Sequence, residues 1–263
     1  MYWMINIFIP YSYRRDKLEH LRYVLRSIEK NIPSCRIIIY GDECPKWIQN
    51  VEFIEVQRWY PELAKKHWSS SLNYECYFDS ANKIRKFCQD YMINEFICTY
   101  DDIFFVRKVD EEQLKSLTTN VAHSKITEEN IERVLSKDKH GKTILTACTL
   151  LKKRTTKDIY NYETHSPRWY CRASLENMFN KYKLEKMIRP YAIATLYYNL
   201  YFRKPADTFQ NNNIYTHGYG KSTYHSLKEN YGDKYFLNIN LGIKQRRETF
   251  IHKIFPDKCK YEK

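Results

Sequence analysis

Two periods of apolar residues run through the first half of this chain. INIFIP (5–10), RIIIY (36–40), VEFIEV (51–56) and FIC (96–98) are short runs rich in β-branched and aromatic residues, and they read as strands. Between the first two, Leu18, Leu21, Leu25 and Ile28 recur every three or four residues, so they share one face of a helix from about 17 to 31. Asp16 followed by Glu19 is a capping-box pattern that opens this helix, and Pro33 closes it. A second helical face, Ala81, Ile84, Phe87, Cys88 and Tyr91, covers 80–92 and leads into the FIC run. This alternation predicts an α/β domain, a Rossmann-type and mainly parallel sheet flanked by helices.

The second half has a different texture. From about 110 to 160 the chain turns polar and helical, rich in Lys, Thr and Glu, which marks an insertion or lid within one domain spanning 1–263. Two helices follow. One begins near Arg168 and carries Leu175, Met178, Phe179 and Tyr182; the other has Pro190 at its start and carries Ile193, Leu196, Tyr197 and Leu200. The spacing of LYYNLYF (196–202) reads as helical core. A strand over 235–239 and a helix up to Phe255 complete a helical C-terminal portion.

Composition narrows the class. No apolar run approaches the roughly 20 residues that cross a bilayer. The opening MYWMINIFIP lacks a basic leader and a small-residue cleavage site, so it reads as a first strand and the expected location is the cytosol, with a peripheral place at a membrane surface left open. Eight cysteines are scattered without a C-x-x-C pair, as expected of reduced core thiols. Lys and Arg outnumber Asp and Glu by 44 to 31, a net charge of +13. That excess attracts polyanions: a nucleotide-sugar, an acidic polysaccharide, anionic lipid head groups or nucleic acid. The basic residues are dispersed, and no helix-turn-helix, zinc-finger or RNP-like motif accompanies them.

The sharpest chemical signal is the pair Asp101-Asp102 directly after the FIC strand. In open α/β sheets ligands bind at the carboxyl ends of the strands. A carboxylate there suits a divalent cation, Mg²⁺ or Mn²⁺, that bridges the phosphates of a nucleotide-diphosphate donor. Strand side chains alternate in direction, so Asp102 is the expected metal ligand, with Asp101 orienting a neighbour or the loop. Arg22 and Arg26 lie four apart on the first helix and are candidates for phosphate contact; pairing with Glu19 or Glu29 on a solvated face is the alternative. Arg189 precedes Pro190 at a predicted helix start, where amide ends attract anions and a guanidinium grips phosphate.

Several blocks in order resemble the Stealth family of sugar-1-phosphate transferases. LRYVLRSIEKNIPSCRIIIYGDECPKWIQNVEFIEV together with FICTYDDIFF is similar to its second region, THSPRWYCRASLENMF to its third, and KYFLNINLGIKQRRETFIHKIFPDKCKYEK to its fourth. The resemblance implies a glycosyltransferase-A-like fold, a nucleotide-diphosphate-sugar donor, and a polyanionic or carbohydrate hydroxyl as acceptor. It implies that His165 faces the diphosphate as proton acceptor or hydrogen-bond donor, that Arg189 holds phosphate, and that Glu75 and Asn240 contact substrate, a strand-end turn being the equal alternative for Asn240. The departures are specific. The family's aspartate-bearing first region is absent and Asn6 stands in the first strand; Tyr100 replaces an Asn before the aspartates, Arg168 a His, and Leu241 an Asp. Two reactions follow from this reading: attack on the sugar-bearing phosphorus, releasing a nucleoside monophosphate, or attack on the anomeric carbon, releasing a nucleoside diphosphate. A glycosyltransferase acting on modified DNA bases would also satisfy the charge.

Overall fold

The computed structural model describes residues 4–13, 20–32, 34–67, 72–131, 139–152, 158–202, 205, 207–208, 213–216, 231–239 and 246–263. The chain opens with β1 (Ile5–Tyr11), α1 (His20–Asn31), β2 (Cys35–Gly41) and β3 (Glu52–Glu55), then α2 (Glu62–His67), α3 (Leu72–Asp90), β4 (Glu95–Cys98) and β5 (Ile103–Phe105). There follow α4 (Glu111–Thr118), β6 (Val121–Ala122), β7 (Ser124–Lys125), α5 (Glu128–Asn130), α6 (Lys139–Lys152) and β8 (Tyr160–Asn161). Next come β9 (Arg168–Cys171), α7 (Arg172–Tyr182), α8 (Ile193–Tyr201), β10 (Asp207–Thr208), β11 (Asn213–Thr216) and β12 (Phe236–Ile239), and α9 (Arg246–Ile254) is the last helix described. The capping-box residues Asp16 and Glu19 lie outside the described residues.

The central sheet has the order β3-β2-β1-β4-β9, with all neighbours parallel except β4 and β9. Its apolar runs are continuous because both faces are covered. Ile7 and Ile9 of β1, Ile37 and Ile39 of β2, Ile97 of β4 and Trp169 of β9 pack on one side with Leu21, Val24, Leu25 and Ile28 of α1. Phe8, Ile38, Tyr40, Phe96, Cys98 and Tyr170 alternate with them and meet α3, α6, α7 and α8 on the other. Phe8 stacks on Phe87 with ring centroids 4.4 Å apart. A smaller sheet, β11-β12-β5, carries the chain on from the aspartate pair.

Two local readings change. The chain around Arg168 is not a helix start: it is a strand, antiparallel to β4 with Cys98 opposite Arg168, and the helix begins at Arg172. The helix after Pro190 begins at Ile193, with Ala192 as its N-cap. Within 110–160, Ile144, Ala147, Cys148 and Leu151 of α6 are buried in the main core. The tyrosines of LYYNLYF are core as expected: Tyr197 and Tyr198 are buried, and Tyr198 donates to the Trp169 carbonyl at 2.6 Å. All eight cysteines are free thiols, four of them buried. No described helix is long and apolar enough to cross a membrane.

Candidate active site

The strand order reverses direction at β1. The chain lays β2 and β3 on one side of it, then returns through α3 to place β4 on the other. At such a switch point the connections leaving the two central strands diverge and open a crevice at their carboxyl ends. A cavity of about 270 Å³ lies there, lined by Pro10, Tyr11 and Ser12 at the end of β1 and by Tyr100, Asp101 and Asp102 at the end of β4.

The aspartates sit in the turn between β4 and β5 and not in the strand itself. The turn is pinned on both sides. Thr99 N donates to Phe8 O at 3.0 Å and Ile103 N to Tyr100 O at 3.2 Å. Buried Asn238 donates through Nδ2 to Asp102 O at 3.2 Å, and Phe105 N donates to Ser27 Oγ at 3.1 Å. The end of β1 is held by α3: Lys83 Nζ, buried, donates to Tyr11 O and to Asp79 Oδ2, each at 2.6 Å, while Trp59 N donates to Asp79 Oδ1 at 3.0 Å. Arg58, also in the lining, bridges Asp42 at 3.7 Å and Glu75 at 3.4 Å. His20 lines the cavity and is buried; burial pushes its imidazole down to about 4, so it is neutral at physiological pH.

The same cavity is also lined by the turn over 162–166, by His140 of α6 and by Tyr77 of α3. His140 Nδ1 lies 3.1 Å from Tyr77 Oη, and the rings of His140 and His165 are 5.3 Å apart. His165 is exposed to the cavity with φ of 46°, a left-handed conformation uncommon for a residue other than glycine.

The structure gathers only part of the expected set. Asp101, Asp102 and His165 line one cavity. Arg22 and Arg26 do not reach it, because both are paired with Glu262 near the end of the chain. Arg189 is exposed and outside the lining. Glu75 lies outside the lining too, and touches it through Arg58. Asn240 lies outside the described residues. The residues that sequence reasoning passed over are Glu163, His140, His20, Arg58 and the Asp79–Lys83 pair. Glu163 had a signal, since it stands two residues before His165 in ETHSPR; His140 was hidden in the stretch read as a lid.

The described residues hold no group of three or more His, Cys, Asp or Glu placed to bind a metal. The aspartate turn still supplies hard oxygen ligands of the kind Mg²⁺ and Mn²⁺ take, and such ions are commonly held by one or two carboxylates plus substrate phosphates.

A mainly parallel Rossmann-type sheet with a carboxylate turn at its switch point is the glycosyltransferase-A-like fold. Among solved structures the chain is similar to the galactosyltransferase LgtC in complex with donor and acceptor sugar analogues, with a TM-score of 0.52 at 9% identity over 97% of this chain and 96% of that one. It is likewise similar to an active-site mutant of LgtC, with a TM-score of 0.50 at 10% identity over 95% of each chain. At such identities the likeness is one of fold. No protein-family model and no curated protein matches the chain, so the resemblance to the Stealth regions rests on the residue blocks alone.

Proposed function

We propose that this protein is a nucleotide-sugar-dependent glycosyltransferase, which places the donor diphosphate at the Asp101-Asp102 turn and moves the sugar to a hydroxyl acceptor. The observation that carries this reading is the aspartate turn in the switch-point cavity of a fold shared with a galactosyltransferase. The acidic lining supports a need for a cation. Among the described lining residues, Arg58 is already paired with carboxylates and Arg168 is bonded to the protein, while Lys83, behind the lining, is paired with Asp79. A diphosphate beside Asp101 and Asp102 would otherwise meet like charge. When bound there, Mg²⁺ or Mn²⁺ screens the phosphates and stabilises the leaving diphosphate.

The structure favours attack on the anomeric carbon over attack on phosphorus. Phosphoryl transfer depends on cationic groups arrayed around the transferred phosphorus. The three arginines expected to serve it are elsewhere: Arg22 and Arg26 on Glu262, Arg189 outside the cavity. The acceptor class that fits is a carbohydrate or polyanionic hydroxyl compound, and the likeness to LgtC lends nucleic acid no support. In this reading His165, which lines the same cavity, donates to a phosphoryl oxygen of the donor.

Incubation with a panel of uridine-, guanosine- and thymidine-diphosphate hexoses, with and without Mg²⁺ or Mn²⁺, tests the reading. The parent should turn over at least one member, and chelation should stop it. Asp102→Asn should lose about a hundred- to a thousandfold in rate while keeping its melting temperature, because the side chain stands at a turn and not in the core. Full activity in that variant would refute the role of the turn.

A further inference from the structure

We propose that Glu163 takes the proton from the acceptor hydroxyl, presented by a turn that is preassembled for the purpose; the assignment rests on the glycosyltransferase reading.

The turn over 162–166 is fixed almost entirely from beneath. The Arg168 guanidinium, 4% exposed, donates to Val121 O at 2.9 Å and to Tyr162 O and Thr164 Oγ1, with its face 5.4 Å from the Tyr198 ring. Thr164 Oγ1 and Ser166 Oγ are 2.6 Å apart, and Thr164 N donates to Tyr162 O at 3.0 Å. Helix α8 grips it too, Tyr162 N donating to Thr195 Oγ1 at 3.1 Å, while Tyr162 Oη donates to Asn120 Oδ1 at 2.8 Å. Thr164, Ser166, Arg168 and Thr195 are all buried. Strained backbone survives where surrounding contacts over-determine it, and the positive φ of His165 is such a case. Within the turn, Glu163 and His165 bring a carboxylate and an imidazole to the lining of the cavity.

Glu163 is oriented as a base must be. Its Oε1 accepts from Thr195 N in the first turn of α8 at 3.1 Å, at the helix end that favours negative charge. Oε2 has no partner among the described residues. Glu163 and the aspartate turn that would hold the diphosphate line the same cavity, together with Tyr100. In the transfer, the acceptor oxygen forms the new bond to the anomeric carbon. The bond from that carbon to the phosphate oxygen breaks with its electron pair going to the diphosphate, and the hydroxyl proton passes to Glu163 Oε2.

A purely structural Glu163 would be a cap for α8, and Glu163→Gln separates the two roles, because the amide oxygen still accepts from Thr195 N but cannot take a proton. With the diphosphate-hexose that the parent uses, Glu163→Gln should lose about a hundred- to ten-thousandfold in kcat. Affinity for the matching nucleoside diphosphate, measured by calorimetry, and the melting temperature should stay at parent values. Added formate should restore part of the rate of Glu163→Ala. A Glu163→Gln rate within about threefold of the parent, or a loss carried by nucleotide affinity, overturns the assignment while leaving the transferase reading intact. A parent that turns over no member of the panel defeats the transferase reading first, and the assignment falls with it.

Discussion

Glu262→Gln should unfold this protein more readily than any surface charge change, and the size of the effect follows from its surroundings. The Glu262 side chain is fully buried and Arg26 is 8% exposed. Glu262 accepts from Arg26 Nε at 2.6 Å and Nη2 at 2.9 Å, from Arg22 Nη1 at 2.9 Å and from Cys259 N at 3.2 Å. Removing one partner of a buried pair leaves an uncompensated charge and costs about 3–5 kcal/mol. The amide keeps an acceptor and Arg22 is partly solvated, so about 3–4 kcal/mol is expected, a fall of roughly 6–16 °C in melting temperature for a domain of this size. The pair has a pH signature as well. Burial pushes the Glu262 carboxyl up, but the bonds from Arg26, Cys259 N and Arg22 outweigh it and hold it below the usual range. A depressed carboxyl stabilises the fold above its unfolded value and loses that contribution as pH falls through the folded one. Denaturant unfolding of parent and variant across acid pH should therefore converge at low pH. Glu52→Gln is the internal control, since its pair with Arg36 is 41% and 36% exposed and worth at most about 1 kcal/mol. If Glu262→Gln costs no more than Glu52→Gln, the clamp is not structural and Arg22 and Arg26 return as phosphate candidates.

Two further outcomes follow from where side chains lie. Arg189→Ala should leave turnover within about threefold of the parent, because the residue is exposed and outside the cavity; a hundredfold loss in a steady-state assay would show that it reaches the donor. His20, buried and pushed down to about 4 by that burial, binds protons more readily in the unfolded chain, so between pH 6.5 and 4 stability should fall with falling pH by about 3 kcal/mol on its account. Its ring resonance should not titrate near neutrality, and a shift centred near pH 6.5 would place it in solvent.

The frame of this molecule was legible because burial on both faces leaves a local trace. RIIIY and FIC can only be sheet interior, and the period-3.6 faces around Leu21 and Ile84 can only be the helices that cover it. A strand followed by Asp101-Asp102 placed the carboxylates correctly at the carboxyl edge, though as a turn between two strands and not as the strand's continuation. What escaped depends on distant pairing. Arg22 and Arg26 meet a carboxylate more than 230 residues away, which nothing near them announces. RWYC looked like a helix start because its identity as a strand comes from pairing with β4, and Arg168, read as a lost histidine, is the buried rivet beneath the turn bearing Glu163 and His165.

The most direct test of the account is the identity of the nucleotide released when the protein turns over its sugar donor. Resolved by ion-exchange chromatography in the presence of Mn²⁺ and a hydroxyl acceptor, the product should be a nucleoside diphosphate, formed in step with a glycosidic linkage. A nucleoside monophosphate formed in step with a phosphodiester would contradict it and place the attack on phosphorus.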